Sequence, residues 1–493
     1  MAKVTQICKR TVVSTKPVPP GKYHPLSVLD RVMEKNNLRM VYYYPSMRSS
    51  SYHNHDDVDD EEDDDEDDDD DGGRVVDIER LRESLAEMLT SFAAVSGRLQ
   101  RNEENGEWMI KCNDAGVRMV EARAQGSVEN WLSCVDRDGE LNLVYWEELY
   151  HNPYFWSTFY VQITEFEEGG FAIGLSCIHL LADLTCATMF IKSWAQTTFY
   201  GKMLASYFHP LPTRNLTTKK IHHVPYTPLI NHYNSTIETT KSIAIIDTKY
   251  TTVSFSFSDK NVRACIKSAQ MINTSSQTSP SPFEAIAGLF WVCISKVKGI
   301  TNGLVNMSLC LDMRRVLNVD KRFFGNCMVY NQVNNPKDVV LENELLKATN
   351  AIRDVVVKMD NEGIMDLIEW LQHNENKDVP LMNGCDLVCA NLDVANPYLA
   401  VFGDMVEPIR VSYYVEPVIG LGQVLILPGP PKEGPLSRVV MVTLPEDELK
   451  KLCENDLLLS FSPSVLMGLN KKLESSREKK VNAETSAKVH GLK

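Results

Sequence analysis

The chain has 493 residues, of which 43% are hydrophobic, and this length and composition predict about two to four domains with sizeable cores. The formal net charge of −15 is concentrated in one tract, Asp56 to Asp71, where 15 of 16 residues are acidic, while the remaining 51 acidic residues balance 51 basic ones. The rest of the chain is therefore neutral overall. It gives no sign of the basic surface that nucleic-acid binding requires, or of a polybasic patch for anionic lipid.

The sequence offers no membrane-spanning segment and no metal site. No run of roughly 18 apolar residues is present, and the first residues lack the apolar core of a signal peptide. The 12 cysteines include no C-x-x-C pair, which favours buried or free thiols over disulfides or zinc ligands. We therefore expect a cytosolic protein without metal or cofactor.

The first elements are predicted on either side of the acidic tract. Thr11–Ser14 and Leu38–Pro45 are typical of strands, being rich in β-branched and aromatic residues. The tract itself is predicted to be a disordered insertion that keeps the protein soluble, because its like charges repel; the alternative is a docking segment for a basic partner. From Asp77 onward, apolar residues at helical spacing predict an amphipathic helix that ends before Gly97.

Strands then lead to a corner between a strand and a helix. Trp108–Ala122 is predicted to form two strands, and Phe159–Phe166 with Phe171–Ile178 a hairpin. Leu184–Tyr200 has the apolar spacing of a helix. His179 is thereby predicted to lie at a rigid strand end.

The pair His179 and Asp183 is the candidate site. A neutral imidazole at a strand end could take a proton from an attacking hydroxyl, amine or thiol. Asp183 precedes the helix, where its carboxylate could cap the helix or pair with a distant arginine. The alternative is that His179 is a buried core residue without a catalytic role. No substrate-binding residue is predicted.

The second half begins after a segment of polar residues and prolines. The region from about Tyr207 to Lys241 shows little periodicity and is predicted to cross between two domains, with His222 and His223 solvated. Ser281 with Pro282 and Glu284 forms the pattern of a capping box for a helix that Gly299 closes. Further elements are predicted in the following ranges: strands at Val253–Phe257, Arg410–Tyr414, Val424–Leu427 and Arg438–Leu444, and helices from Asp259 and over Pro445–Leu452.

Five segments resemble, in order, the motifs of one protein family. Gly169–Asp183 contains H-x-x-x-D as in the plant acyl-CoA-dependent acyltransferases called the BAHD family, and the similarity covers nearly the whole chain. The other segments are VSGRL at Val95–Leu99, SPFEAIAGLFWVCISKVKG at Ser281–Gly299, LDMR at Leu311–Arg314 and FFGN at Phe323–Asn326. The resemblance implies that His179 is a general base and that Asp183 is structural.

Two departures from the family pattern narrow the resemblance. Leu184 stands where the family usually has Gly after the motif Asp, and VFGDM at Val401–Met405 replaces the D-F-G-W-G signature. The missing Asp of that signature normally holds the Arg of the D-x-R element, so the resemblance implies that Arg314 lacks its partner. This pattern is most similar to the eceriferum or Glossy-type branch of cuticular wax synthesis.

The resemblance implies an α/β fold with two domains of the chloramphenicol acetyltransferase type, mixed sheets, flanking helices and a channel between the domains. It places an N-terminal domain with H-x-x-x-D at residues 1–210, including the acidic insertion at 46–73. A crossover linker follows at 211–245, then a C-terminal domain at 246–474 and a flexible tail at 475–493.

The resemblance leaves two functions open. The favoured one is an accessory protein of very-long-chain fatty acid elongation that acts with the elongase condensing enzyme, a 3-ketoacyl-CoA synthase, at the cytosolic face of the endoplasmic reticulum or in the cytoplasm. The alternative is an active O- or N-acyltransferase that uses His179 as general base and acyl-CoA as substrate. The protein is expected to be monomeric by itself and to bind no nucleic acid.

Overall fold

A computed structural model of the chain describes residues 3–19, 21–46, 77–104, 106–148, 156–214, 227–240, 249–270, 279–335, 343–373, 379–382, 386–402 and 406–468. The acidic tract, His222 and His223, the last three residues of VFGDM and the predicted tail lie outside these ranges. Within them, no helix combines the length and the apolar character needed to cross a membrane.

Three sheets form the framework. The first sheet has six strands in the spatial order β1 (Val4–Val12), β6 (Val117–Ala124), β8 (Phe159–Phe166), β9 (Phe171–Ile178), β3 (Asn37–Tyr44) and β14 (Arg410–Glu416). The second has seven strands in the order β12 (Met328–Val333), β11 (Met307–Asp312), β13 (Leu387–Asn391), β15 (Gln423–Pro428), β16 (Arg438–Pro445), β10 (Tyr250–Phe257) and β17 (Ser464–Met467). The small third sheet contains β2 (Tyr23–Pro25), β5 (Trp108–Lys111), β4 (Arg98–Arg101) and β7 (Trp156–Ser157).

Both large sheets are mixed, as predicted. In the first sheet β6 and β8 run parallel and the other neighbours antiparallel. In the second, β13 runs parallel to both β11 and β15. The structure therefore confirms a mixed α/β fold.

Helices cover the sheets. Those of the first half are α1 (Val28–Val32), α2 (Ile78–Leu89), α3 (Val128–Cys134), α4 (Arg137–Leu141) and α5 (Leu184–Tyr200). Those of the second half are α6 (Thr227–Thr240), α7 (Asp259–Ser268), α8 (Pro282–Val297), α9 (Glu344–Lys358), α10 (Asn361–His373), α11 (Glu446–Cys453) and α12 (Asp456–Ser460). α5 packs on α2, and α8 packs between α7 and α9 and against β15.

Several predictions of individual elements are confirmed and one is wrong. The hairpin of β8 and β9 and the helix α5 have the predicted bounds, and Ser281 forms the predicted capping box with Glu284. The first strand, however, lies at Val4–Val12 rather than Thr11–Ser14, because the segment pairs with β6 from Val4 onward.

A helix lies within the segment predicted to be the crossover, whose role as a linker stays a prediction. The helix α6 occupies 14 residues of the segment predicted to be a linker. Its buried side is formed by Leu229, His232, Tyr233, Thr236 and Ile237, which have helical spacing although three of them are polar or amphipathic. Because the buried side of α6 is not uniformly apolar, hydrophobic periodicity does not predict this helix.

One strand crosses the predicted division into two domains. β14 belongs to the C-terminal range by sequence, yet it pairs antiparallel with β3 along its whole length in the first sheet. The domain boundaries themselves stay a prediction. Because β14 pairs with β3, both halves of the chain contribute strands to the first sheet.

Candidate functional site

The strand-to-helix corner is formed as the sequence predicts. β9 ends at Ile178, His179 follows directly, and Asp183 is the N-cap of α5. The Oδ1 atom of Asp183 accepts a hydrogen bond from the backbone N–H of Cys186 at 2.9 Å, which satisfies one of the free donors at the helix start. The corner is therefore fixed by its own capping residue.

His179 lies inside the protein. Only 2% of its surface is exposed. Its backbone N–H donates to the carbonyl of Asn36 at 3.1 Å, and its own carbonyl accepts from the Nδ2 atom of Asn326 at 2.7 Å. Among the described residues, the buried Nδ1 atom of its ring has no hydrogen-bond partner.

The environment keeps the imidazole neutral. Burial lowers the pKa of His179 below its usual value of 6.5, and the nearby charge of Asp183 opposes this shift without reversing it. At neutral pH the ring is therefore in its basic form, the form required of a general base. A neutral buried ring also suits a packing role, so the pKa does not decide between the two.

Arg314 anchors the other end of the corner. Its guanidinium bonds both oxygens of Asp183, at 2.9 and 3.0 Å, and Asp312 at 2.7 Å. The same group donates to the carbonyl of Gly325 at 2.7 Å. The expectation that Arg314 lacks its partner is thus wrong, because Asp183 and Asp312 neutralise it.

Burial and the charge of Arg314 act in opposite directions on the pKa values of Asp183 and Asp312. Burial would raise the pKa of Asp183, but the charge and hydrogen bonds of Arg314 hold it below the usual value of 3.8. For Asp312, burial prevails and raises the pKa. Asp183 is bonded to Arg314 and to the backbone N–H groups of Cys186 and Cys327, an arrangement that fits the structural role expected of it.

The structure adds two residues whose role the sequence did not reveal. The side chain of Asn326, in the FFGN element, joins the carbonyl of His179 to the carboxylate of Asp30, with which it bonds at 2.7 Å. Asp30 also forms a capping box with Ser27 at the start of α1. The pattern S-x-x-D at Ser27 was the available signal, but it indicates a helix start and gives no hint of the contact with Asn326.

The remaining segments of the resemblance belong to the scaffold. Arg98 of VSGRL is buried and donates to the carbonyls of Gly116 and Ala115, both at 2.7 Å. The surviving Phe402 of VFGDM packs edge-on against Tyr44 and Trp194, with ring centroids 5.6 and 5.3 Å away. Three motifs, H-x-x-x-D, D-x-R and F-G-N, meet at the corner.

The described residues contain no group of three His, Cys, Asp or Glu side chains placed to bind a metal ion. Their 11 cysteines are all free.

Solved structures with this architecture define the class of the fold. Vinorine synthase matches with a TM-score of 0.64 at 17% identity, covering 94% of this chain and all of that one. TRI101 of F. sporotrichioides, solved with coenzyme A and T-2, matches with a TM-score of 0.67 at 14% identity, covering 90% and 100%. The fold is that of the two-domain, chloramphenicol acetyltransferase-like acyltransferases.

Sequence comparison gives the family. The model of the Transferase family matches residues 72–458, and a model of a family of unknown function matches residues 3–94. The chain belongs to the Transferase family, the BAHD acyltransferases. It is 25% identical to Protein ECERIFERUM 26-like and 26% identical to Protein ECERIFERUM 2, both of Arabidopsis thaliana, over 77% of its length and 83% and 86% of theirs.

Proposed function

We propose that this protein is an accessory component of very-long-chain fatty acid elongation for cuticular wax. In this role it acts with the elongase condensing enzyme, a 3-ketoacyl-CoA synthase, at the cytosolic face of the endoplasmic reticulum, and extends the acyl chain length that this enzyme reaches. The similarity to eceriferum proteins motivates the proposal.

The burial of His179 is the observation that carries it. A general base must reach the proton of the acceptor at hydrogen-bond distance. With 2% of its surface exposed, His179 offers almost no area to an acceptor. Its neighbours Asp183 and Arg314 are bonded to each other, and the side chains of Asn326 and Arg314 also donate to backbone carbonyls, as a packed structural corner requires.

The altered second signature favours the same function. In VFGDM, Phe402 retains a packing role against Trp194, while the acidic and aromatic positions of the family signature are replaced. The signature residue that packs in the core is therefore kept, and the acidic and aromatic signature residues are changed. This is the pattern expected of a fold retained for binding.

Co-expression in yeast tests the proposal. Yeast strains would carry a plant condensing enzyme, this protein, both or neither, and their fatty acyl chains would be profiled by gas chromatography of methyl esters. We expect longer chains only in the strain with both proteins. An unchanged profile in that strain, with both proteins present and folded, would contradict the accessory function.

A further inference from the structure

A cavity of about 470 Å³ lies beside the His179 corner without including His179. It is bounded by β2 and the start of α1, the loop after α2, the segment from Phe208 to Thr213, the FFGN element and the end of α10. We call it the aromatic cavity. Its volume falls in the range of small-molecule binding sites.

The cavity is lined by rings held in fixed positions. Phe208 and Phe324 lie with centroids 4.9 Å apart, and the edge of His24 meets Phe208 at 5.7 Å. His209 lies against Phe323 at 4.7 Å. Behind them, Phe92 packs edge-on against Phe208 and Phe324, so that this aromatic wall continues into the core. A preformed apolar wall favours an apolar ligand.

The acidic group in this lining is not available to a ligand. Asp30 is 4% exposed, and its two carboxylate oxygens accept from the backbone N–H groups of Ser27 and Asn326 at 2.7 and 2.9 Å. Burial raises the pKa of Asp30 above its usual value, against the opposing hydrogen bonds from Asn326 and Ser27. The interior therefore offers no carboxylate for pairing with a cation.

The basic group in the lining, by contrast, is accessible. Lys22 is exposed and has no ion-pair partner in the described part of the chain. Its charge acts on two side chains of the lining: it opposes the rise that burial causes in the pKa of Cys112, and it adds to the lowering by burial of the pKa of His24. Lys22 thus places a positive charge at the edge of an uncharged interior.

We propose that the aromatic cavity binds an anionic lipophile of the fatty-carboxylate class, with its hydrocarbon body against the rings of Phe208 and Phe324 and its carboxylate near Lys22. Aliphatic burial supplies the affinity, and the ammonium group selects the charged end. The proposal stands apart from the accessory function, because it depends on the cavity and not on a partner protein or on His179.

Competition binding to the purified chain tests this site. The fluorescent fatty acid cis-parinaric acid would be titrated first, then displaced with oleate or with uncharged methyl oleate. The variant Lys22→Glu is expected to bind oleate about threefold to tenfold more weakly and methyl oleate unchanged, because it reverses an exposed charge. Thr213→Trp and Gln372→Trp, which fill the cavity from its exposed lining, are expected to weaken binding of both compounds.

The matched control is Lys358→Glu. This lysine is also exposed but lines a different cavity of about 590 Å³, so its reversal should leave oleate binding unchanged. Thermal unfolding would confirm that each variant is folded. The proposal is overturned by the lack of saturable binding to the wild type, by wild-type binding in folded Lys22→Glu, or by wild-type binding in both folded tryptophan variants.

Discussion

Arg314 is the residue on which the His179 corner depends. It is 3% exposed and bonds two carboxylates and a backbone carbonyl drawn from different segments of the chain. A buried cation of this kind is tolerated only while its partners remain charged. Removal of one carboxylate should therefore leave the buried charge of Arg314 less well compensated and lower the free energy of unfolding.

The substitution Asp183→Asn is expected to lower the free energy of unfolding by about 3 kcal/mol, because among the described residues it leaves Arg314 with Asp312 as its one remaining carboxylate. Urea unfolding followed by circular dichroism would measure the change. Glu79→Gln is the control, since it removes an exposed pair with Arg82 and should cost less than about 1 kcal/mol. Equal effects of the two substitutions would contradict this assignment.

A half-buried histidine outside the corner should make stability depend on pH. Burial lowers the pKa of His24 from 6.5 to about 4, so the unfolded chain binds a proton between these values that the folded chain rejects. Stability is then fully present above about pH 6.5 and decreases as the pH falls toward 4. His24 alone should account for about 2 kcal/mol between pH 7.5 and 5.

The variant His24→Gln tests this dependence. Urea unfolding at pH 7.5 and at pH 5 should show a smaller difference in the variant than in the wild type. His209→Gln, at an exposed ring in the same lining, is the matched control and should retain the wild-type difference. A His24→Gln protein with the full wild-type difference would rule out His24 as the source.

At the residue scale, the sequence predicts local chemistry and misses distant contacts. Asp183 has both roles considered for it, as helix cap and as partner of an arginine. The expectation for Arg314 was wrong because it rested on the missing Asp of the D-F-G-W-G signature alone. Asp312 and Asp183 supply the negative charge that pairs with Arg314 instead. Asp30 was missed because its contact with Asn326 spans 296 residues, which no local pattern records.

Among the elements, the best predictions fall where burial and capping agree. β9 is a run of buried residues, and α5 is capped by Asp183 before its first residue and by Gly201, with a positive φ of 64°, after its last. The sequence did not predict α6, because its buried face includes His232 and Tyr233. These side chains form hydrogen bonds in the interior with Ser308 and the backbone N–H of Tyr330. Hydrophobic periodicity cannot register a buried face made of polar groups with partners.

The capping box of α8 should contribute measurably to stability. The Ser281→Ala variant loses the hydrogen bond that the backbone N–H of Glu284 donates to the Ser281 hydroxyl, and we expect about 1 kcal/mol less free energy of unfolding. Ser281→Thr keeps a hydroxyl and should retain most of the stability. The expectation fails if both variants unfold at the same urea concentration.

For the whole molecule, β14 and its buried charges join the two large sheets. Arg410 on β14 pairs with the fully buried Glu140 of α4 at 2.5 Å, and its other amino group donates to the carbonyl of Leu466 in β17 at 3.0 Å. Ser412, Tyr43 and Tyr414 also donate to Glu140. The sequence predicted β14 as a strand but not its sheet, because a strand pattern does not encode its partner.

The substitution Glu140→Gln should weaken this junction, because it leaves the Arg410 guanidinium buried with no carboxylate partner in the described part of the chain. We expect a loss of about 3–5 kcal/mol in unfolding free energy, measured by urea titration. Glu446→Gln, which removes an exposed pair with Lys450, serves as control. A stability equal to that of the control would mean that the two sheets do not depend on this pair.

The most direct test of the accessory function is the acyl chain profile of yeast that expresses a plant condensing enzyme with either the wild type or His179→Ala. Matched controls are His179→Gln and the exposed His373→Ala, with folded amounts compared by thermal unfolding. We predict that chain extension persists in all variants within about twofold, since proton transfer at His179 is not needed. Loss of extension in folded His179→Ala and His179→Gln, with His373→Ala intact, would contradict the account and identify His179 as a catalytic or substrate-binding residue.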